Sequence, residues 1–422
     1  VYVADSRATQ TSADGAVRPP AGRRRGVVAP AVLALGAVSL VTDVSSEMVT
    51  AVLPLYLVTG LGLSPLGFGL LDGIYNGFSA LVRLVGGHLA DRGGGRHKWV
   101  AGFGYAVSAL CKPLLLVAHS LTPIGLVLAA DRTGKGLRTA PRDALISLSS
   151  TPEARGRAFG VHRAMDTAGA LLGPLVAFLI LRATVDGYDA VFTVSFCVAV
   201  LGVLVLVLFV PGGHGDGGGA VPGERPTLTA ALRLLEHRDL RRITVCALLL
   251  GLATVSDSFV YLLLQRRLGV PDRWFALLPL GTAGAFLLLA IPLGRLADRV
   301  GRWAVFLGGH GALLVAYALL LTSWHGTALP YVVLALHGTF YAATDGVLMA
   351  AASDGVPEAL RSSGLALVQT GQATARFACS LLFGAAWTVW GDRAALSGAA
   401  VALVGCAVFS LTVRPKGTVT TA

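Results

Sequence analysis

Apolar stretches long enough to cross a bilayer recur along the whole chain, and only short polar gaps separate most of them. They lie at roughly 29–57, 66–90, 99–118, 122–145, 159–181, 189–210, 242–264, 274–297, 303–322, 328–350, 364–388 and 394–413. A membrane-spanning helix needs about twenty apolar residues. In lipid every backbone polar group must be satisfied within the protein, so a run of this kind has to be helical. The expected fold class is an all-α membrane protein with twelve transmembrane helices. Composition agrees: 54% of the 422 residues are hydrophobic and 14% charged, against about 25% charged in soluble domains. Mean hydropathy is +0.70.

A formal net charge of +11 could suggest nucleic acid, but the basic residues collect in the gaps between apolar runs. Arg92, Arg96 and Lys98 follow span two; Arg155 and Arg157 follow span four; Arg233, Arg238, Arg241 and Arg242 precede span seven. Arg299 and Arg302 follow span eight, Arg361 follows span ten, and Arg414 and Lys416 close the chain. All these loops fall on one side, which the positive-inside rule makes cytoplasmic. The expectation is a multi-pass cell-membrane protein with both termini in the cytoplasm, no nucleic-acid partner, and the lipid bilayer as its surroundings. Loops after spans one, three and nine hold no Lys or Arg. Arg266, Arg267 and Arg273, after span seven, break the pattern. They read either as a basic outer mouth or as a boundary misplaced by a few residues.

Residues 1–26, ending in Arg23-Arg24-Arg25, read as a disordered cytoplasmic tail, since the apolar run that follows is span-length and shows no cleavage site. A Gly-rich segment within 211–240 reads as a cytoplasmic linker between bundles at 27–210 and 241–413, with a second tail at 414–422. The halves repeat. Gly87-His88-Leu89-Ala90-Asp91-Arg92 matches Gly294-Arg295-Leu296-Ala297-Asp298-Arg299, and Pro152-Glu153-Ala154 matches Pro357-Glu358-Ala359 at nearly the same offset. With six spans each, the halves share one orientation, a plan that places a substrate site at the midplane between them. Cys111, Cys197, Cys246, Cys379 and Cys406 lie in apolar runs without metal spacing, so buried free thiols are expected and no metal.

Span four runs from apolar Leu121–Ala130 straight into Asp131-Arg132-Thr133-Gly134-Lys135-Gly136-Leu137-Arg138-Thr139-Ala140-Pro141-Arg142-Asp143. On a helix Arg132, Lys135, Thr139 and Arg142 share a face, and Asp131 stands four before Lys135. A charge at the bilayer centre costs roughly 2.5–3.5 kcal/mol on insertion scales, so these must face protein or a wet cavity and meet counter-charges. Span one carries Asp43, Glu47, Thr50 and the kink residue Pro54 on one face. Asp43 or Glu47 is expected to carry a proton, with Arg132 as its switching partner. The alternative is a fixed ion pair joining spans one and four. Arg83 and Lys112 add positive charge to this half and hint at an anionic or zwitterionic solute; Asp72, near the outer end of span two, reads as solvated. In the second half Asp257 and Tyr261 share a face, as do His337, Tyr341 and Asp345, and Gln369, Gln372 and Arg376. Asp345 with Arg376 is a candidate ion pair. Gly169 and Gly173 allow close helix packing, and Pro174 should kink span five.

Taken together these residues resemble the major facilitator superfamily of secondary transporters, over everything after the N-terminal tail. The loop motif G-x-x-x-D-R-x-G-R is met by Gly294, Asp298, Arg299, Gly301 and Arg302; Gly87, Asp91 and Arg92 match its first copy, where Gly93-Gly94-Gly95 displaces Arg96 by one. Arg132 and Gly136 match the span-four motif, with Lys135 in place of Gln. Gly169, Gly173 and Pro174 match G-x-x-x-G-P, associated in the family with export by antiport. The resemblance implies two pseudo-symmetric six-helix bundles, a gating role for the two loop motifs, and alternating access. The expected function is proton-coupled export of a small organic solute by a monomer of a bacterial efflux-like branch. Uptake by symport is the alternative, and a non-transporting receptor or an intramembrane enzyme are remoter ones. No G-x-x-x-x-G-K-[ST] is present, so no nucleotide, cofactor or catalytic site is expected and the drive is an ion gradient or the solute's own.

Overall fold

The computed structural model describes residues 29–92, 97–151, 154–185, 187–211, 236, 238–324, 326–354 and 361–413. Both expected tails and nearly all of the linker lie outside them. Within α2 the side chains of Arg83, Gly87, Asp91 and Arg92 also lie outside the described ones.

The chain is all helical and crosses twelve times. The first half is built from α1 (Pro30–Leu55), α2 (Pro65–Arg92), α3 (His97–Val117), α4 (Leu121–Leu148), α5 (Arg155–Ala183) and α6 (Gly187–Phe209). The second holds α7 (Arg238–Ala253), α8 (Asp257–Leu268), the short α9 (Asp272–Phe275), α10 (Leu278–Val300), α11 (Arg302–Leu321), α12 (Leu329–Asp354), α13 (Arg361–Trp390) and α14 (Asp392–Thr412). Among the described residues nine helical stretches are apolar and long enough to cross a bilayer. The remaining crossings, α2, α4 and α13, are 28, 28 and 30 residues long and carry the more polar faces. At 1.5 Å per residue, each exceeds the roughly 30 Å hydrocarbon core.

Two spans depart from the uniform helices expected. In span one, Pro54 has no N–H to donate, and the ladder widens just beyond it into a π-helical turn at Tyr56–Gly60. Span seven breaks between α7 and α8. Irregular backbone at membrane depth survives only where protein satisfies it, and here the Val255 N–H donates to the Tyr317 hydroxyl at 2.8 Å and the Cys379 thiol to the Thr254 carbonyl at 3.2 Å. The break puts Asp257 in the first turn of α8, where a helix N-terminus favours a carboxylate.

Helix pairings repeat between the halves: α1 packs on α5 and α7 on α13, α2 on α4 and α10 on α12, α3 on α4 and α11 on α12. Small residues set the close crossings. A Cβ at Gly134 would come 2.6 Å from the Gly104 carbonyl, and one at Gly136 would strike Val82, so the glycines flanking Lys135 seat α4 against both α3 and α2. On α5, a Cβ at Gly173 would lie 2.7 Å from the Glu47 Cβ and 2.9 Å from the Val44 carbonyl. Ser45 and Ser195 each donate to the other's carbonyl at 2.8 Å, joining α1 to α6.

The halves meet along α2 and α13. Gly69 faces the Ser380 carbonyl, Gly384 faces that of Pro65, and Gly73 and Gly77 lie under Phe377. Phe68 meets Phe259 edge-on at 4.8 Å, and Phe178 meets Trp274 at 5.0 Å. These contacts sit at the end of the molecule bearing the 61–64 and 269–271 loops. Toward the other end, a Cβ at Gly156 or Gly160 of α5, or at Gly294 of α10, would meet nothing within 4 Å.

Of the three basic residues that break the loop pattern, Arg267 has a structural role: its guanidinium bonds the carbonyls of Leu319, Leu320, Thr322 and Trp324 at and just beyond the end of α11. Cysteine burial is uneven, since Cys111, Cys246 and Cys379 are buried but Cys197 is exposed on α6. Replacing Gly173 by Val should force α1 and α5 apart and lower stability by roughly 1–3 kcal/mol, read as a drop in melting temperature of detergent-purified protein. Gly160→Val, in open space, should leave melting unchanged.

Candidate functional site

The charged run of α4 is neutralised from neighbouring helices. Asp131 is buried and receives Ser108 Oγ at 2.5 Å, Lys112 Nζ at 3.3 Å and Arg132 Nη2 at 2.6 Å. The Arg132 guanidinium lies 3.7 Å from the ring centre of Tyr75. Asp43 is 3.3 Å from Arg138 Nη2, and Arg138 in turn lies over Tyr105 at 4.4 Å. Arg142 joins Asp143 at 3.1 Å and Asp166 of α5 at 3.7 Å, and donates to Ser39 Oγ at 3.2 Å. Glu47 and Lys135 stand 3.9 Å apart with both side chains partly exposed.

In this conformation the expected Arg132 switching pair is not formed within 4.0 Å. Arg132 is held by its own neighbour Asp131 and by Tyr75, and partners neither Asp43 nor Glu47; Asp131 pairs with Lys112 and Arg132, not with Lys135. The reason is helix geometry: on α4 Lys135 is offset from Arg132 by about 60° and Arg138 by about 120°, so Arg132 turns toward α2 while Lys135 and Arg138 turn toward α1.

Between the halves lies a cavity of about 400 Å³. From the first half it is lined by Glu47, Thr50, Tyr75, Asn76 and Pro174; from the second by Ser256, Asp257, Ser258, Tyr261, Thr282, Tyr341, Asp345 and Arg376, with apolar residues between them. The Tyr341 hydroxyl donates to Asp257, and His337 Nε2 lies 3.5 Å from the same carboxylate. Tyr261 donates to Thr282 Oγ1 at 3.0 Å. Thr50 and Tyr75 share a 2.5 Å hydroxyl bond across α1 and α2.

Of the expected cavity residues, Glu47, Asp257, Tyr261, Tyr341, Asp345 and Arg376 come together on this wall. Lys112, Arg132 and Asp43 lie behind it in ion pairs. Lys135 reaches the wall only through Glu47. His337 is fully buried behind Asp257. Gln369 bonds Met349 at 3.6 Å, and Gln372 is not part of the lining. The expected Asp345–Arg376 ion pair is not formed within 4.0 Å; Arg376 instead stands 5.9 Å from the Tyr341 ring. In the loop motif, Arg302 pairs with Asp298 at 3.7 Å and donates to the Ala350 carbonyl of α12 at 3.0 Å, while Gly301 supplies the positive φ of 100° between α10 and α11. Asp72 is 5% exposed rather than solvated, and Ser380 of α13 donates to it at 2.7 Å. Tyr75, Asn76, Ser256 and Ser258 were missed; an Asp-x-x-Tyr-Asn cluster in span two and the Thr-Val-Ser-Asp-Ser break in span seven were the available signals.

An all-helical, two-halved membrane protein with a cavity between its halves is a transporter architecture. The sequence profile of the Major Facilitator Superfamily matches residues 35–379, and the chain belongs to that family. An uncharacterised MFS-type transporter of Methanocaldococcus jannaschii is 29% identical over 380 residues, spanning 88% of this chain and 92% of the relative. An uncharacterised protein of Mycobacterium tuberculosis is 33% identical over 174 residues, 41% of each chain. Among solved structures, the nucleoside transporter NupG aligns with a TM-score of 0.78 at 14% identity, covering 91% of this chain and 98% of that one. A bacterial homologue of the human lysosomal transporter Spinster, in an inward-facing and unoccupied conformation, gives 0.73 at 16% over 93% and 98%. The peptide transporter POT gives 0.73 at 15% over 92% and 95%. These structural likenesses carry the fold.

Removing Asp131 would leave Lys112 and Arg132 buried without a counter-charge. Asp131→Asn should cost about 3–5 kcal/mol and sharply lower the melting temperature. Lys135→Gln, at a half-exposed pair, should shift stability by less than about 1 kcal/mol. Thermal melting of the two variants side by side checks the contrast.

Proposed function

We propose that this protein is an alternating-access, proton-coupled transporter of a small polar solute in the cell membrane, with Glu47 exchanging the coupled proton at the cavity wall. The observation that carries this reading is the cavity itself. It lies between the halves, beyond an end where α2 and α13 are packed shut, and carries one loosely paired carboxylate from the first half facing the Asp257–Tyr341 pair of the second. The basic loops support reading the packed end as the outer one and both termini as cytoplasmic, and on that reading the conformation is inward-facing.

Symport is favoured over export. Support for export came from Gly169, Gly173 and Pro174, and close packing of α5 on α1 accounts for both glycines without reference to transport direction. Solved proteins of like fold bear the names nucleoside transporter and peptide transporter, which fits a polar nutrient. The expected anionic or zwitterionic solute draws no support from Lys112, Arg132, Arg138 and Arg142, which are all paired inside the first half; the Arg83 side chain lies outside the described ones. The cavity instead presents Glu47, Asp257 and Asp345 against Arg376, a wall suited to a neutral or amine-bearing solute.

The test is reconstitution with a trapped pH dye and a panel of nucleosides, dipeptides, amines and organic anions. A nucleoside, dipeptide or amine should carry protons with it in wild type, and Glu47→Gln should abolish that proton movement while solute exchange persists. Protons moving against the solute would establish antiport. No proton movement with any solute that crosses would reduce the protein to a facilitator.

A further inference from the structure

We propose that Asp72 is a second proton-binding site, one that latches the outer gate: protonated, it lets α2 and α13 close; ionised, it drives them apart. This rests on the alternating-access reading above. Each carboxylate described within spans one, four and five has a basic partner within 4.0 Å: Asp43 has Arg138, Glu47 has Lys135, Asp131 has Lys112 and Arg132, and Asp143 and Asp166 have Arg142. Asp72 has none among the described side chains. It is buried between the halves, and its one close partner is the hydroxyl of Ser380 on α13 at 2.7 Å.

No basic side chain described around it faces Asp72, and the one positive field beside it is the N-terminus of α8. Ser256 and Ser258 at the head of α8 lie beside it, and the nearest charge there is the acid Asp257. From α1 and α4 it meets Leu53, Leu57, Thr50 and Leu128. On α13, Cys379 adjoins Ser380, while Arg376, one turn away, is directed at Tyr341. Tyr75, one turn along α2, bonds Thr50. An ionised carboxylate sealed here would have the hydroxyls of Ser380, Ser256 and Ser258 around it but no counter-ion, which is costly. The neutral acid keeps the Ser380 bond at far less cost. One turn before Asp72, Gly69 packs directly on the Ser380 backbone, so separating the helices at that crossing would also open Asp72 to water. Proton binding and gate closure are thereby linked. The closed state binds the extra proton, so closure is favoured at low pH and lost as pH rises, with a limiting slope of about tenfold per unit for one proton.

Spin labels at Leu66→Cys and Trp390→Cys, both exposed at the outer ends of α2 and α13, in a background otherwise free of cysteine, report the gate without any solute. In proteoliposomes the closed population of the unsubstituted protein should fall as pH rises. Asp72→Asn, which imitates the neutral acid, should stay closed at every pH. Ser380→Ala should lower the closed fraction yet keep the pH dependence, because the carboxyl remains. If Asp72→Asn follows the same pH curve as the parent, the latch is refuted and alternating access stands. If the parent shows one fixed distance at every pH, both fall.

Discussion

Charge in a membrane-spanning helix has to be answered by charge from a neighbour, and α4 makes that demand several times over. Asp131, Arg132, Lys135, Arg138 and Arg142 are distributed around one helix, and four helices meet them: α3 through Ser108 and Lys112, α2 through Tyr75, α1 through Glu47, Asp43 and Ser39, and α5 through Asp166. The first bundle is in effect assembled around these pairings. Gly134 and Gly136 bring α4 close enough to α3 and α2 for the short side chains to reach. Removing a partner from the buried cluster at Asp131 is costly because the remaining charges have no water to turn to.

The two halves use polar residues differently. The first consumes nearly all its charge internally and offers the cavity one carboxylate, Glu47. The second has no comparable cluster among the described residues. Its polar groups, Asp257, Tyr261, Tyr341, Asp345 and Arg376, are turned to the cavity, with the helix break at 254–256 setting the direction of Asp257. A rigid, internally paired bundle rocking against one whose polar face lines the cavity suits rigid-body alternation. The glycine-lined crossing of α2 and α13 brings the backbones of the two halves into close contact.

The fold was legible in the sequence because apolar length and loop charge are local signals. Twelve spans, the two repeated halves and the glycine-based packing all follow from patterns a few residues wide. The site was legible only in part. Helical spacing put Asp257 with Tyr261, and Tyr341 with Asp345, on shared faces that do line the cavity. It could not say that Arg132 would turn to its own neighbour Asp131, since a shared face on α4 says nothing of which helix it meets. Asp72 was misread for the same reason: nearness to a span end suggests water, but α13, some three hundred residues away, covers it. The break in span seven is written in Thr254-Val255-Ser256, yet a hydropathy window smooths over it.

The account turns on one cavity reached from either side of the membrane by turns. The most direct measurement places a single cysteine at Ala283, on the cavity wall, in a cysteine-free background. Its modification by a membrane-impermeant thiol reagent is then followed in inside-out and right-side-out vesicles. The account predicts modification from both faces, faster from the cytoplasmic side, and selective loss of outer access when α2 and α13 are cross-linked. Access from one face alone, unchanged by the cross-link, would contradict it.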